Sequence, residues 1–205
     1  MNRIAATFRS TTLGLALLAF APLLIAGCSK SGTEDSPQAA FQRWEAASEE
    51  RDVEEYFEAI VPPDRRSFLM SVVASWRAGE WRADSVQRHD ALGSVLARHS
   101  LDQIDSPLGF DERARVEGLE SLPGVLAEIF EAVDGVGPRD IPMWDLLPQP
   151  VSLGEVGEID EYDSALASAR FTAFDIQAMS TREREDNVRF FRGKDGRWRV
   201  SVPAF

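Results

Sequence analysis

Reactive and crosslinking side chains are scarce in this chain. Cys28 is the one cysteine among 205 residues, so no disulfide can close within the chain and stability must come from packing. There are two histidines, His89 and His99. On one helix they would stand about 80° apart around the axis and about three turns apart along it, too far to share a metal ion. No HxxxH or HExxH spacing occurs, and no GxSxG, P-loop or GxGxxG. No catalytic, cofactor or metal residue is therefore assigned. Positive charge is short as well, with 22 Lys and Arg against 34 Asp and Glu and a formal net charge of -12. Phosphate repels such a chain, which argues against a nucleic-acid partner and against broad electrostatic attachment to anionic headgroups. No apolar run reaches the ~20 residues that a membrane-spanning helix needs.

The chain does carry an N-terminal address. Arg3 and Arg9 precede an almost wholly apolar segment from Leu13 to Leu24, the length of a signal-peptide core. Ile25-Ala26-Gly27-Cys28 follows and resembles the lipobox of bacterial lipoproteins: aliphatic, small, small, cysteine. The resemblance implies cleavage after Gly27, diacylglycerol on the Cys28 sulfur, and acylation of the new N-terminus with chains such as palmitate. The alternative is an ordinary cleaved signal peptide with an incidental cysteine. The only cysteine lying where the apolar segment ends favours the lipoprotein. No Asp follows Cys28, so the family's inner-membrane retention signal is missing, and the expected place is the outer membrane, facing the periplasm. Losing Arg3 and Arg9 takes the basic count from 22 to 20 against 34 acids, near -14. Residues 28–35 then form the lipidated cysteine and a polar tether that reaches about 25 Å at most.

Residues 36–205 are expected to form one α+β domain: helical over 36–133, a connector over 134–150, and antiparallel strands over 151–205. Ser36 and Pro37 mark a helix start, with Ala40, Phe41, Trp44 and Ala47 on one face. Asp52 with Glu55 caps a second helix carrying Tyr56 and Phe57, which Pro62-Pro63 should stop. Asp64 is expected to cap a third helix, ending near Gly79. A fourth should begin at Asp84, and a fifth should run from about Leu122 to Val133. In the last third, Ala165 to Phe174 and Arg197 to Val202 alternate apolar with polar residues, as a sheet with one covered face requires. The helices should supply the cover, packed on a curved antiparallel sheet.

Two stretches, SPQAAFQRWEAASEERDVEEYF (Ser36 to Phe57) and VRFFRGKDGRWRVSVP (Val188 to Pro203), resemble small bacterial lipoproteins with a nuclear transport factor 2-like, cystatin-like cone domain. That implies a helical pair laid on a sheet closed by an aromatic hairpin. The helical stretch from Asp64 to Val133 is longer than a minimal cone contains. The cone hosts enzymes and binding modules alike, so the fold names no activity.

Each remaining cluster has a plain structural account beside its functional one. Enzymes of the cone type use an Asp, His or Tyr as acid or base, and His99, Tyr162 and Asp175 are of that type, with no motif behind them. The run Glu155, Glu158, Asp160, Glu161 and Asp163 lacks calcium-loop spacing and reads as a solvated turn. Arg189, Arg192, Lys194, Arg197 and Arg199 crowd one hairpin with Phe190, Phe191 and Trp198. They read as an exposed face paired with acids elsewhere, or as the seat of an anionic ligand or acidic partner. The expected function is that of a lipid-anchored envelope protein, more a non-catalytic binding module for a protein partner or small ligand than an enzyme. The alternative is a cone-type small-molecule enzyme with a buried Asp or His base. A filled space between helices and sheet would favour the first, and a deep pocket there the second.

Overall fold

The computed structural model describes residues 35–104, 116, 119, 121–175 and 177–202. The signal segment, Gly27, Cys28 and the tether through residue 34 lie outside them. Every described residue belongs to a unit spanning Gly32–Phe205.

Helix α1, Pro37–Glu50, starts as expected: the Ser36 hydroxyl accepts from the Ala39 N–H at 3.1 Å. Its buried face holds Ala40, Phe41, Trp44 and Ala47. Helix α2, Val53–Ala59, is capped by Asp52, which accepts from the Glu55 N–H at 3.0 Å. Helix α3, Pro62–Arg77, corrects one expectation. Pro62 and Pro63 open this helix, because a first-turn residue needs no N–H partner. That leaves Asp64 inside the first turn instead of at the cap, and its carboxylate reaches the Val202 N–H at 3.2 Å. A short helix that the sequence did not suggest, α4, Glu80–Asp84, precedes the expected fourth one, which is α5, Val86–Arg98, capped by Ser85. Helix α6, Leu122–Ala132, begins on a Ser121 cap, and a 3-10 turn at Pro138–Asp140 and the short α7, Met143–Leu146, complete the connector.

The C-terminal third forms an open antiparallel sheet in the order β1-β2-β3-β4. Its strands are β1 (Gln149–Val156), β2 (Ser164–Asp175), β3 (Ser180–Arg192) and β4 (Trp198–Ser201). The protein is thus α+β, with the helical part packed against the sheet. Ala165, Ala167, Ala169, Phe171 and Ala173 of β2 are buried, as are Val188, Phe190, Trp198 and Val200 of β3 and β4. Helix α1 packs on β1, β3 and β4. The small β2 side chains leave room for aromatics carried by the helices. Tyr56 stands edge-on to Phe57 at 5.2 Å and to Trp144 at 5.6 Å between ring centroids, favoured geometries for aromatic pairs. Its hydroxyl donates to the Pro148 carbonyl at 2.6 Å, and burial pushes its pKa far up, so it stays neutral.

Among the described residues, buried side chains pack the space between helices and sheet. Trp44 and Trp198 are buried, while Trp76 and Trp144 only border the core. Trp81, which the sequence reading passed over, is buried. Among the described residues, the indole N–H groups of Trp44 and Trp81 are buried without a hydrogen-bond partner.

Strand β3 is longer than the alternation suggested. It starts at Ser180, and its first eight residues are exposed on both faces. These residues pair with β2, whereas β4 covers only Arg189 to Arg192. Among the described residues the second edge of β3 from Ser180 to Asn187 has no strand partner.

Candidate functional site

The most concentrated polar arrangement lies where α2 ends. A helix C-terminus presents unsatisfied carbonyls and partial negative charge, and here two guanidinium groups meet it. Arg65, from the first turn of α3, donates its Nε–H to the Ile60 carbonyl at 2.7 Å and a terminal N–H to the Glu58 carbonyl at 3.0 Å. Arg199, from β4, donates its Nε–H to the same Glu58 carbonyl at 3.2 Å. It also grips Asp195 with both terminal nitrogens, at 3.0 and 2.6 Å. The Glu58 carboxylate lies 3.4 Å from Arg65 and 3.7 Å from Arg199. One clasp thereby joins α2, α3 and the last hairpin. The Arg199 hydrogen bonds hold the Asp195 carboxyl far below the usual carboxylate range and push Arg199 upward. Burial pulls Arg65 down, and the Glu58 charge opposes that pull.

Two open recesses flank the clasp. One, of about 340 Å³, is walled by Val61, Pro62, Phe191, Lys194 and Asp195. The other, of about 280 Å³, is walled by Glu58, Pro62, Arg66, Leu122 and Pro123. Arg65 borders both. The walls offer apolar surface and positive charge. The bordering carboxylates, Glu58 and Asp195, are engaged by the two arginines. Burial pushes the Asp64 carboxyl up, but that group turns to Ser201 and the Val202 N–H. The geometry suits holding a group better than transferring a proton.

The residues raised in the sequence are not brought together. His99 follows α5 and faces Glu128 at 3.2 Å, with Arg98 on the same carboxylate oxygen at 2.6 Å. The His99 hydrogen bond holds Glu128 below its usual pKa. Tyr162 is exposed in the turn before β2, and Asp175 sits at the far end of that strand, accepting the Gln177 and Ala178 N–H groups. His89 stacks on Trp76, whose indole donates to the His89 carbonyl. In the acidic run, Asp160 turns its carboxylate to the Tyr162 and Ser164 N–H groups and the Ser164 hydroxyl. Among the described residues no three His, Cys, Asp or Glu side chains converge to hold a metal ion.

The basic hairpin departs from its expected pairing. Only Arg199 finds carboxylates; among the described residues Arg189, Arg192, Lys194 and Arg197 make no ion pair. The sequence reading missed Glu58 and Arg65. Nothing in the residue types separates Arg65 from Arg66, and only the fold, which turns Arg65 onto the carbonyls at the end of α2, does so. No helix among the described residues is long and apolar enough to cross a membrane.

No family model matches the chain, and neither the curated proteins nor the solved structures contain a match to it.

Proposed function

We propose that this chain is a lipid-anchored protein of the bacterial envelope whose folded body is a non-catalytic binding module. Ile25-Ala26-Gly27-Cys28, directly behind the apolar segment from Leu13 to Leu24, carries the reading. The thiol is placed where a lipoprotein requires its acylated nucleophile, and two or three acyl chains anchor stably where one does not. The missing Asp after Cys28 supports the outer membrane, facing the periplasm.

The filled interior supports binding over catalysis. An enzyme of the cone type needs a cavity between helices and sheet, and here the buried side chains of Trp44, Tyr56 and Phe57 belong to a packed core. The surface recess walled by Glu58, Arg66, Leu122 and Pro123 suits a protein partner of the envelope or a small ligand bearing an apolar group and negative charge. We further propose kinship with the nuclear transport factor 2-like cone proteins. The helical pair followed by an antiparallel sheet supports it, and the long helical stretch of α3 to α6 sets this chain apart from a minimal cone.

The test is the Cys28→Ser variant beside the wild type. The wild type should pellet with membranes and show acyl mass on Cys28, and the variant should lose both properties. A variant retained in pelleted membranes at the wild-type level would overturn the anchor.

A further inference from the structure

The way the chain enters its folded body sets which end lies nearest an anchored N-terminus. Asp35, the first described residue, is fastened to the last hairpin. Its carboxylate accepts the Trp198 N–H at 2.6 Å and pairs with Arg43 at 2.7 Å. The Arg192 N–H donates to the Asp163 carbonyl at 3.0 Å, so the β1–β2 turn lies beside the same hairpin. The β2–β3 turn, with Met179, is at the other end of the sheet. Six residues lie between Cys28 and Asp35, so the reach from one to the other is about 25 Å at full extension.

The surface at this end is unlike the rest. Of the seven large hydrophobic side chains exposed among the described residues, four are here: Ile159 (55%), Tyr162 (78%), Leu166 (46%) and Phe191 (37%). Four hairpin cations without ion pairs among the described residues, Arg189, Arg192, Lys194 and Arg197, are here too. Arg189 lies over the Phe191 ring at 5.9 Å, and the Arg192 Nε–H donates to the Gly196 carbonyl at 3.1 Å. Lys194 and Arg197 stand exposed on the turn between β3 and β4. Phe191 lies among these cations while Ile159 and Tyr162 sit in the neighbouring acidic turn, and an aromatic set among cations beside exposed apolar tips suits a headgroup layer.

We propose that this end, formed by the β1–β2 turn and the β3–β4 hairpin, rests on the phospholipid surface that anchors the chain. Ile159, Tyr162 and Phe191 meet the interface, and Arg192, Lys194 and Arg197 meet headgroup phosphates. The inference rests on the lipid anchor at Cys28. Glu158, Glu161 and Asp163 share this end and weaken its pull on anionic lipid, so the face is too weak to hold a free protein. It works because the short tether keeps the local concentration of lipid high. The contact would turn the helical side and the free edge of β3 toward other envelope components.

The acylated chain offers a direct test, since acylation of Cys28 leaves an introduced cysteine as the sole free thiol. Glu161→Cys, Lys194→Cys and Met179→Cys, each in the lipidated protein, would carry a nitroxide in phosphatidylcholine vesicles containing phosphatidylglycerol. At 161 and 194 the label should collide more with lipid-soluble oxygen than with an aqueous nickel chelate, and at 179 the order should reverse. Equal accessibility at all three positions, with acyl mass present, overturns the contact and leaves the anchor standing. Missing acyl mass overturns the anchor and the contact with it. Labels exposed on vesicles but shielded in native envelopes would put a protein on this face and overturn the proposal.

Discussion

Arg65 and Arg199 together satisfy the Glu58 carbonyl, and Arg65 alone among the described residues satisfies the Ile60 carbonyl through its side chain. Replacing Arg65 with Leu would leave a buried acceptor unpaired and the Glu58 carboxylate short of one cation. A loss of about 2–4 kcal/mol is expected, read as a lower urea midpoint with an unchanged slope. Arg65→Lys should recover little, because a single ammonium cannot span both carbonyls as the planar fork does. The titrating side chains set a pH dependence of definite sign. Hydrogen bonds from Arg199, His99, Ser164 and the Ala178 N–H hold Asp195, Glu128, Asp160 and Asp175 below their ordinary values. The unfolded chain then binds more protons than the folded one in acid, so their stabilisation is present above the unfolded value of about 4 and is lost as pH falls from there through the lower folded values. Asp64, raised by burial, runs the other way: its contribution is full in acid and is lost as pH rises through its folded value. Four against one, acid should destabilise the protein. Asp195→Asn should flatten the fall of the urea midpoint below about pH 5, and salt should flatten it further, because these carboxylates face solvent.

Among the elements, the exposed half of β3 carries the clearest consequence. Ser180 to Asn187 leaves one backbone edge open among the described residues, and charge guards it: Arg182, Glu183, Arg184, Glu185 and Asp186 in succession. An open edge invites pairing with another chain, and charged side chains discourage it. Replacing Arg182, Arg184 and Asp186 together with Ile or Val should produce concentration-dependent association in sedimentation runs, with little change in the monomer's circular dichroism. The caps show what a sequence reading can and cannot recover. Ser36 and Asp52 were legible because a short acceptor three residues before an N–H acts locally. The first half of β3 was not, since its charged residues carry no apolar alternation and become a strand only by pairing with β2. Asp64 misled for a related reason: two prolines ahead of an acid read as a stop and a cap, yet Val202 draws that carboxylate elsewhere. Gly196 closes the last hairpin turn at a φ of 79°, a conformation that favours glycine.

At the scale of the whole molecule, every described core residue lies at Ala40 or beyond, and the folded body should not depend on what precedes Asp35. A chain beginning at Asp35 should unfold in one cooperative calorimetric transition at the melting temperature of the lipidated protein; two transitions, or a large drop, would show that the earlier residues contribute to the fold. Local chemistry determined the order of helices before strands, the caps, the faces that turn inward, and the expectation of an anchor at Cys28. Each depends on neighbours a few residues apart, which is the range over which helix and strand periodicity act. Tertiary structure alone decided three things: which of two adjacent arginines is buried, which hairpin cations go unpaired, and that Asp35 is fastened beside Trp198. The last two depend on residues more than a hundred positions apart, such as Glu58 with Arg199 and Asp35 with Trp198. Contacts that distant leave no periodic trace in a chain, because they exist only once the packed core has brought the segments together.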